Sequence, residues 1–220
     1  MDQGAESIRN IKSTAIGPWK IGILLLLISA VPIFAVEYLP LHDYPNHLSR
    51  VTIIAHWKTM VHQHQNYVLG NFLLPNIGSD LVMLALGTMF PMDIAGKITI
   101  YFSLAMCCAG AIWVNGKINK NTALIAILLV FVLYNGILIW GFINYIFGIG
   151  LMLIGFSCFI SIRNLYVRLC VGCVFSIIIF FSHLVAFGIY ALCVFGYVLN
   201  QLWEKKTTLR NAVLSGLQFI

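Results

Sequence analysis

Charge is what this 220-residue sequence lacks most: Asp, Glu, Lys and Arg together make up 9% of it, 7 acids against 13 bases. A water-facing globular surface needs about 25%. The shortage excludes a soluble enzyme with an aqueous surface and a solvated disordered tail. Composition equally excludes a collagen-like rod and a disulfide scaffold. No internal repeat and no low-complexity linker is visible, so residues 1–220 read as one domain. What is abundant is apolar: 60% of residues are hydrophobic and the mean hydropathy is +0.93. The class that remains is an all-α polytopic transmembrane helix bundle.

A span needs about 20 mostly apolar residues. Charge-free gaps of 16, 19, 42 and 35 residues run over Ile21–Val36, Ile98–Gly116, Asn121–Ile162 and Leu169–Trp203. The gap of 42 is long enough to fold back on itself near Tyr134–Asn144, and the gap of 35 to break at Ser182-His183. Six spans follow, near 19–37, 95–116, 121–138, 142–162, 167–182 and 184–203. The apolar run Leu81–Met92 has only 12 residues and reads as interfacial. With that reading, 10 basic residues share the side of the N-terminus and 3 (Arg50, Lys58, Lys97) lie opposite; were the run to cross, the count would become 4 against 9. The positive-inside rule then makes both termini cytoplasmic, with tails at 1–18 and 204–220 and five further spans over 95–203. The net charge of +6 is a cytoplasmic collar facing anionic lipid, not a nucleic-acid patch. No A-x-A site precedes Glu37, so the first segment reads as an uncleaved anchor.

The six cysteines, Cys107, Cys108, Cys158, Cys170, Cys173 and Cys193, all lie inside expected spans and none in the outer loop. That argues against a disulfide framework. Cys170-Val-Gly-Cys173 matches C-x-x-C by letter, and on a membrane helix reads as small packing residues one turn apart.

Residues 38–94 form one extracytoplasmic loop, far more polar than the rest, with five of the six histidines: His42, His47, His56, His62 and His64. In His42-Asp43-Tyr44-Pro45-Asn46-His47-Leu48-Ser49-Arg50, Pro45 suits a first helical turn and Asp43 an N-cap. Leu48, Val51, Ile54, Trp57 and Val61 then recur at helical spacing, so 45–64 reads as an amphipathic interfacial helix. Leu81–Met92 reads as a second, ending at Pro91. His47 and Arg50 are one turn apart beside Asp43. A carboxylate, an imidazole and a guanidinium gathered there suit deprotonating a hydroxyl and holding a phosphate. The plainer readings stand beside this one: Asp43 as a cap, Arg50 touching lipid phosphates, and His56, His62 and His64 as solvated. His62 and His64 cannot project one way from an α-helix, so a metal site there would need irregular backbone, and no metal ligand is assigned. Gly141-Phe142-Ile143-Asn144-Tyr145 and Ser182-His183 reach the same outer surface. His183 at membrane depth reads as functional or as a helix cap.

This pattern resembles the GT-C superfamily, multi-span glycosyltransferases that use polyprenyl-phosphate-linked sugars. The resemblance rests on an acid soon after the first span (Asp43 in HDYPNHLSR) and on two interfacial helices separated by LLPN (Leu73–Asn76). GFINY and FSHLVAF at outer turns complete it. It covers nearly the whole chain but is architectural. It implies inverting transfer of a sugar from a lipid phosphate carrier to an acceptor on the outer face, in a cell inner membrane. Asp43 would activate the acceptor hydroxyl, His47 and Arg50 would neutralise the departing phosphate, and Asn144, Tyr145 and His183 would line the substrate site. It admits a divalent cation, with no ligand set in the sequence to decide it. Partners implied are membrane lipid and the lipid-linked donor, not nucleic acid; nothing indicates an oligomeric state. Family members continue with further spans, whereas Thr208–Ile220 reads as the start of another helix cut short, so the chain reads as a fragment, a remnant or a subunit. A transporter or lipid-translocating subunit is the second reading, disfavoured by the absence of Asp, Glu, Lys and Arg at mid-span. A non-catalytic scaffold is the third.

Overall fold

The computed structural model describes residues 18–70, 74–119 and 133–219. All regular structure among the described residues is helical: α1 Pro18–Phe34, α2 Tyr44–Ala55, α3 Gly78–Leu86, α4 Met92–Ile118, α5 Gly136–Ile139, α6 Ile143–Ser161, α7 Leu165–Ser182, α8 Leu184–Trp203 and α9 Leu209–Gly216. Short 3-10 turns occupy Val61–Gln65 and Leu217–Phe219.

Four helices, α4, α6, α7 and α8, are long and apolar enough to cross a membrane. They answer the spans expected at 95–116, 142–162, 167–182 and 184–203. The hairpin break falls where expected, with His183 extended (φ −165°, ψ 123°) between α7 and α8. The first expected span is shorter than read: α1 has 17 residues and stops at Phe34. That is about 25 Å at helical rise, less than the ~30 Å hydrocarbon core. The span expected at 121–138 falls mostly outside the described residues. Its described end bends at Tyr134, and Asn135 starts the new helix α5 by accepting from the Leu138 N–H at 3.1 Å.

Helix α6 is the centre of the bundle: 56% of its apolar window is buried, against 17% for α8. Small residues permit this. A Cβ on Gly150 would come within 2.7 Å of the Met106 Cβ on α4, and one on Gly155 within 2.8 Å of the Phe175 ring on α7. Helices in lipid gain little from burying apolar surface against one another, so such close backbone approach carries their association. The outward faces of α7 and α8 present Val174, Ile177, Leu192 and Phe195 uncovered, as a lipid-facing surface does.

The loop between α1 and α4 folds down onto one end of this bundle. Its helices supply Tyr44, Val51 and Met83 to the core cluster that also holds Ile100, Leu104 and Ile143. Val51 and Met83 are fully buried, each contributing about 1.5–3 kcal/mol. Both helices are shorter than the sequence suggests. α2 ends at Ala55 rather than near residue 64, and the His56 Nδ1 lies 3.1 Å from the Thr52 carbonyl at its C-terminus. The second helix spans Gly78–Leu86, not Leu81–Met92, because the chain turns at Gly87 and Pro91 already caps α4. α9, whose start at Thr208 was legible, packs back on α7 and α8.

Charges divide between the two ends. Glu37, Asp43, Arg50, Lys58, Asp80, Asp93 and Lys97 lie with the docked loop at the beginnings of α4 and α6. Lys117, Arg163, Arg168, Glu204, Lys205, Lys206 and Arg210 lie at the other end.

Candidate functional site

Pro45 stands in the first turn of α2, as read from the sequence. Asp43 occupies the N-cap position, but its carboxylate does not cap: the residue is helical (φ −94°, ψ −6°) and no backbone N–H of the helix reaches its side chain. That expectation is corrected, and the reason is the backbone it leans on. The Asp43 N–H donates to the Trp140 carbonyl and the His42 N–H to that of Ile139, each at 3.0 Å. These bonds pin the helix start against the turn before α6 and rotate the carboxylate sideways. There Oδ1 accepts from Asn46 Nδ2 at 2.8 Å, and Oδ2 lies 3.4 Å from His47 Nε2.

The turn that receives Asp43 demands glycine. Gly141 has φ +79°, and a Cβ there would lie 2.7 Å from the Asp43 nitrogen and 2.8 Å from that of Tyr44. Either condition alone disfavours any other residue.

His47 lies on the buried face of α2 between Tyr44 and Val51 and is 7% exposed. A polar ring in that stripe requires partners. One is Asp80, 33 positions on and 4% exposed, whose Oδ1 lies 2.9 Å from His47 Nδ1. The other Asp80 oxygen accepts from Arg50 Nη2. Arg50 Nη2 also lies 3.0 Å from His47 Nδ1. A guanidinium only donates and a carboxylate only accepts, so Nδ1 serves Asp80 when it carries the proton. Nε2 then faces Asp43, and the ring satisfies both carboxylates only when both nitrogens are protonated. In that state the four side chains sum to neutrality; with one proton fewer they carry a net negative charge.

Asp80 is the member that sequence reading missed. It lies in a different helix, and only the docking of α3 on α2 brings it to His47. The available signal was an acid in an otherwise apolar nine-residue helix, GSDLVMLAL.

Asn144 is 4% exposed and acts as the staple for α3. Its Oδ1 accepts from both the N–H and the Oγ of Ser79 at 2.8 Å, and its Nδ2 donates to the Asn76 carbonyl at 2.7 Å. Nearby, Ile77 N–H donates to the Phe181 carbonyl at 3.0 Å, tying α3 to the end of α7. Asn144 therefore positions Asp80 rather than offering a free amide. Tyr145 and His183 form a separate pair, edge to face with centroids 5.1 Å apart. The His183 Nδ1 accepts from Val185 N–H at 3.3 Å, capping α8, and burial lowers its pKa below the ordinary 6.5. Among the described residues no hydrogen bond joins this pair to Asp43, His47, Arg50 and Asp80. His56 and His62 are exposed, and His64 stacks on Trp57 at 4.1 Å with Nε2 2.8 Å from the Trp57 carbonyl. The backbone at Val61–Gln65 is irregular, yet no group of three His, Cys, Asp or Glu side chains suited to a metal occurs among the described residues.

Beside the quartet lies an open groove of about 370 Å³ between α2, α3 and residues 67–70 and 74–77. Ile53, Ile54, Leu74 and Leu84 make it apolar, and Arg50 and Asp80 stand at its polar edge. The Arg50 side chain is 49% exposed, so its remaining N–H groups face outward.

Compared with known proteins, the chain matches no family model, no curated protein and no solved structure. Among the described residues the fold is all-helical, with four helices long and apolar enough to cross a membrane.

Proposed function

We propose that this chain is a transferase module resembling the GT-C glycosyltransferases, which moves a sugar from a polyprenyl-phosphate carrier to a hydroxyl acceptor on the outer face. One observation carries the reading. A carboxylate with open approach (Asp43) and a half-exposed guanidinium (Arg50) flank a buried His47–Asp80 pair at the edge of an apolar groove. In this reading Asp43 takes the acceptor proton, and Arg50, aided by His47, offsets the charge left on the lipid phosphate. The groove takes the first isoprene units. Asn144 holds α3, and Tyr145 with His183 borders the acceptor side. The proposal includes six spans completed by α1 and the 121–138 segment, with α2 and α3 lying at the interface. Both termini are then cytoplasmic, in a cell inner membrane.

The test is transfer of labelled sugar from the lipid carrier by membranes containing the protein, comparing wild type with Asp43→Asn and Arg50→Gln. Loss of transfer in both, with carrier binding kept in Asp43→Asn, supports the reading. An unchanged rate in Asp43→Asn removes Asp43 from the chemistry. The groove also favours a second reading, a subunit that holds or translocates lipid without transferring sugar. Carrier binding with no transfer by the wild-type protein would select it.

A further inference from the structure

The opposite end of the bundle holds a polar cleft of about 180 Å³ between the start of α7, the end of α8 and the start of α9. Arg163, Arg168 and Lys206 line it, with Tyr197, Gln201 and Asn211. The Arg168 guanidinium lies over the Phe159 ring, Cζ 5.0 Å from the centroid. Its Nε is enclosed and has no hydrogen-bond partner among the described residues. Buried donors are almost always paired, and a charged group left without an acceptor is costly. Two helices begin here. Asn164 takes the N–H groups of Tyr166 and Val167 in the first turn of α7, and Thr208 takes that of Asn211 in α9. Both helix ends add positive potential.

The acid at this end among the described residues, Glu204, does not line the cleft. It pairs with Lys206 at 2.5 Å. Their hydrogen bond, and then their mutual attraction, hold the Lys206 ammonium above its usual range and the Glu204 carboxyl below it. Arg163, Arg168 and Lys206, the last paired with Glu204, thus line a cleft with no carboxylate among its described lining residues. A collar of solvated bases would spread into water, whereas here two guanidinium groups line one polar cleft and Arg168 is held over the Phe159 ring.

The geometry points to a phosphoryl-binding site in this cleft, one that takes a phospholipid headgroup or a free phosphate between Arg163 and Arg168. Planar guanidinium groups suit tetrahedral oxyanions because they donate in parallel pairs. The inference is independent of the chemistry proposed at the other end.

The test uses the purified full chain in nanodiscs, with thermal stability as the readout. Inorganic phosphate is titrated against chloride at equal ionic strength in zwitterionic lipid, and separately phosphatidylglycerol is added to the disc. Arg168→Gln removes the enclosed donor, Arg163→Gln alters an exposed residue with little risk to folding, and Arg210→Gln lies outside the cleft. Phosphoryl ligands should stabilise the wild type, and affinity should fall at least about tenfold in Arg168→Gln and Arg163→Gln but not in Arg210→Gln. Stabilisation by both probes supports a site that takes the group from either source. Stabilisation by phosphatidylglycerol alone identifies a headgroup site, and by inorganic phosphate alone a soluble-anion site. No stabilisation by either, or an equal loss in Arg210→Gln, overturns the inference.

Discussion

The Arg50–Asp80 pair is asymmetric, and that asymmetry predicts which substitution hurts more. The Asp80 side chain is 5% exposed and that of Arg50 49%. Removing the acid by Asp80→Asn leaves a guanidinium that can turn back to water. The loss is then a charge-assisted hydrogen bond, about 2 kcal/mol. The asparagine also retains an oxygen for Arg50, and its amide can donate to a re-tautomerised His47. Removing the base by Arg50→Met keeps the apolar stem but strands a buried carboxylate with His47 alone. Breaking a buried pair from that side costs about 3 kcal/mol or more. In the double variant no charge remains stranded, so the cost should return to about 2 kcal/mol. The two single losses should therefore exceed the double loss by about 3 kcal/mol. The measurement is equilibrium unfolding in mixed micelles under SDS titration, followed by tryptophan fluorescence, for which the chain has 5 tryptophans. Equal single effects that simply add in the double variant would refute the claim that Asp80 is a buried anion held by Arg50.

Gly141→Ala combines a left-handed backbone with a contact of 2.7 Å to the Asp43 nitrogen. It should cost more than about 2 kcal/mol and loosen the α2 start, read as faster amide exchange at Asp43 and Tyr44. His183 titrates below its ordinary 6.5 in the folded state because burial disfavours its charged form. The unfolded chain therefore binds that proton first, and the stabilising contribution, present above pH 6.5, is lost as pH falls through the lowered folded value. His183→Asn, which keeps a cap, should flatten this part of the acid limb in a pH series of unfolding midpoints. Sidedness is testable with cysteines placed in a cysteine-free background at Met89, 76% exposed on the loop end, and at the exposed Lys205 on the basic end. An impermeant maleimide should label Met89→Cys on intact cells and Lys205→Cys only after permeabilisation. Labelling of both from one side would refute the placement.

Which features were legible in the sequence follows from the range of the forces that set them. Runs such as Leu169–Trp203 announce their helices because lipid tolerates no uncompensated backbone, and Ser182-His183 marks the break because a polar cap is needed there. Pro45 and Thr208 mark helix starts by local chemistry. The failures at the site are tertiary. Asp43 looks like a cap until its N–H is given to Trp140, which turns the carboxylate away. The stripe Leu48–Val51–Ile54 suggests a buried face that the docked helix shifts to Tyr44, His47 and Val51. Asp80 is unreadable because no local rule connects it with His47. Asn144 reads as an outer-turn residue lining the substrate site, yet its oxygen is doubly engaged by Ser79.

The distribution of unused hydrogen-bonding capacity separates scaffold from site at the loop end. Asn144 has both ends of its amide engaged, Lys97 is 5% exposed with its ammonium on the Val36 carbonyl at 2.6 Å, and the His183 Nδ1 serves the α8 backbone. These groups hold three loop segments and two helix ends in register and have little left for a ligand. Both Asp80 oxygens are engaged, one by His47 and one by Arg50, so it orients rather than reacts. What remains open is the half-exposed carboxylate of Asp43, with His47 Nε2 3.4 Å away, and the N–H groups of the half-exposed Arg50. Those groups are also what a proton-abstracting, phosphate-stabilising reaction would need. The buried pair beneath them holds part of this arrangement: without Asp80, Arg50 would lose its carboxylate and His47 Nδ1 its acceptor, while Asp43 would still be held by Trp140 and Asn46.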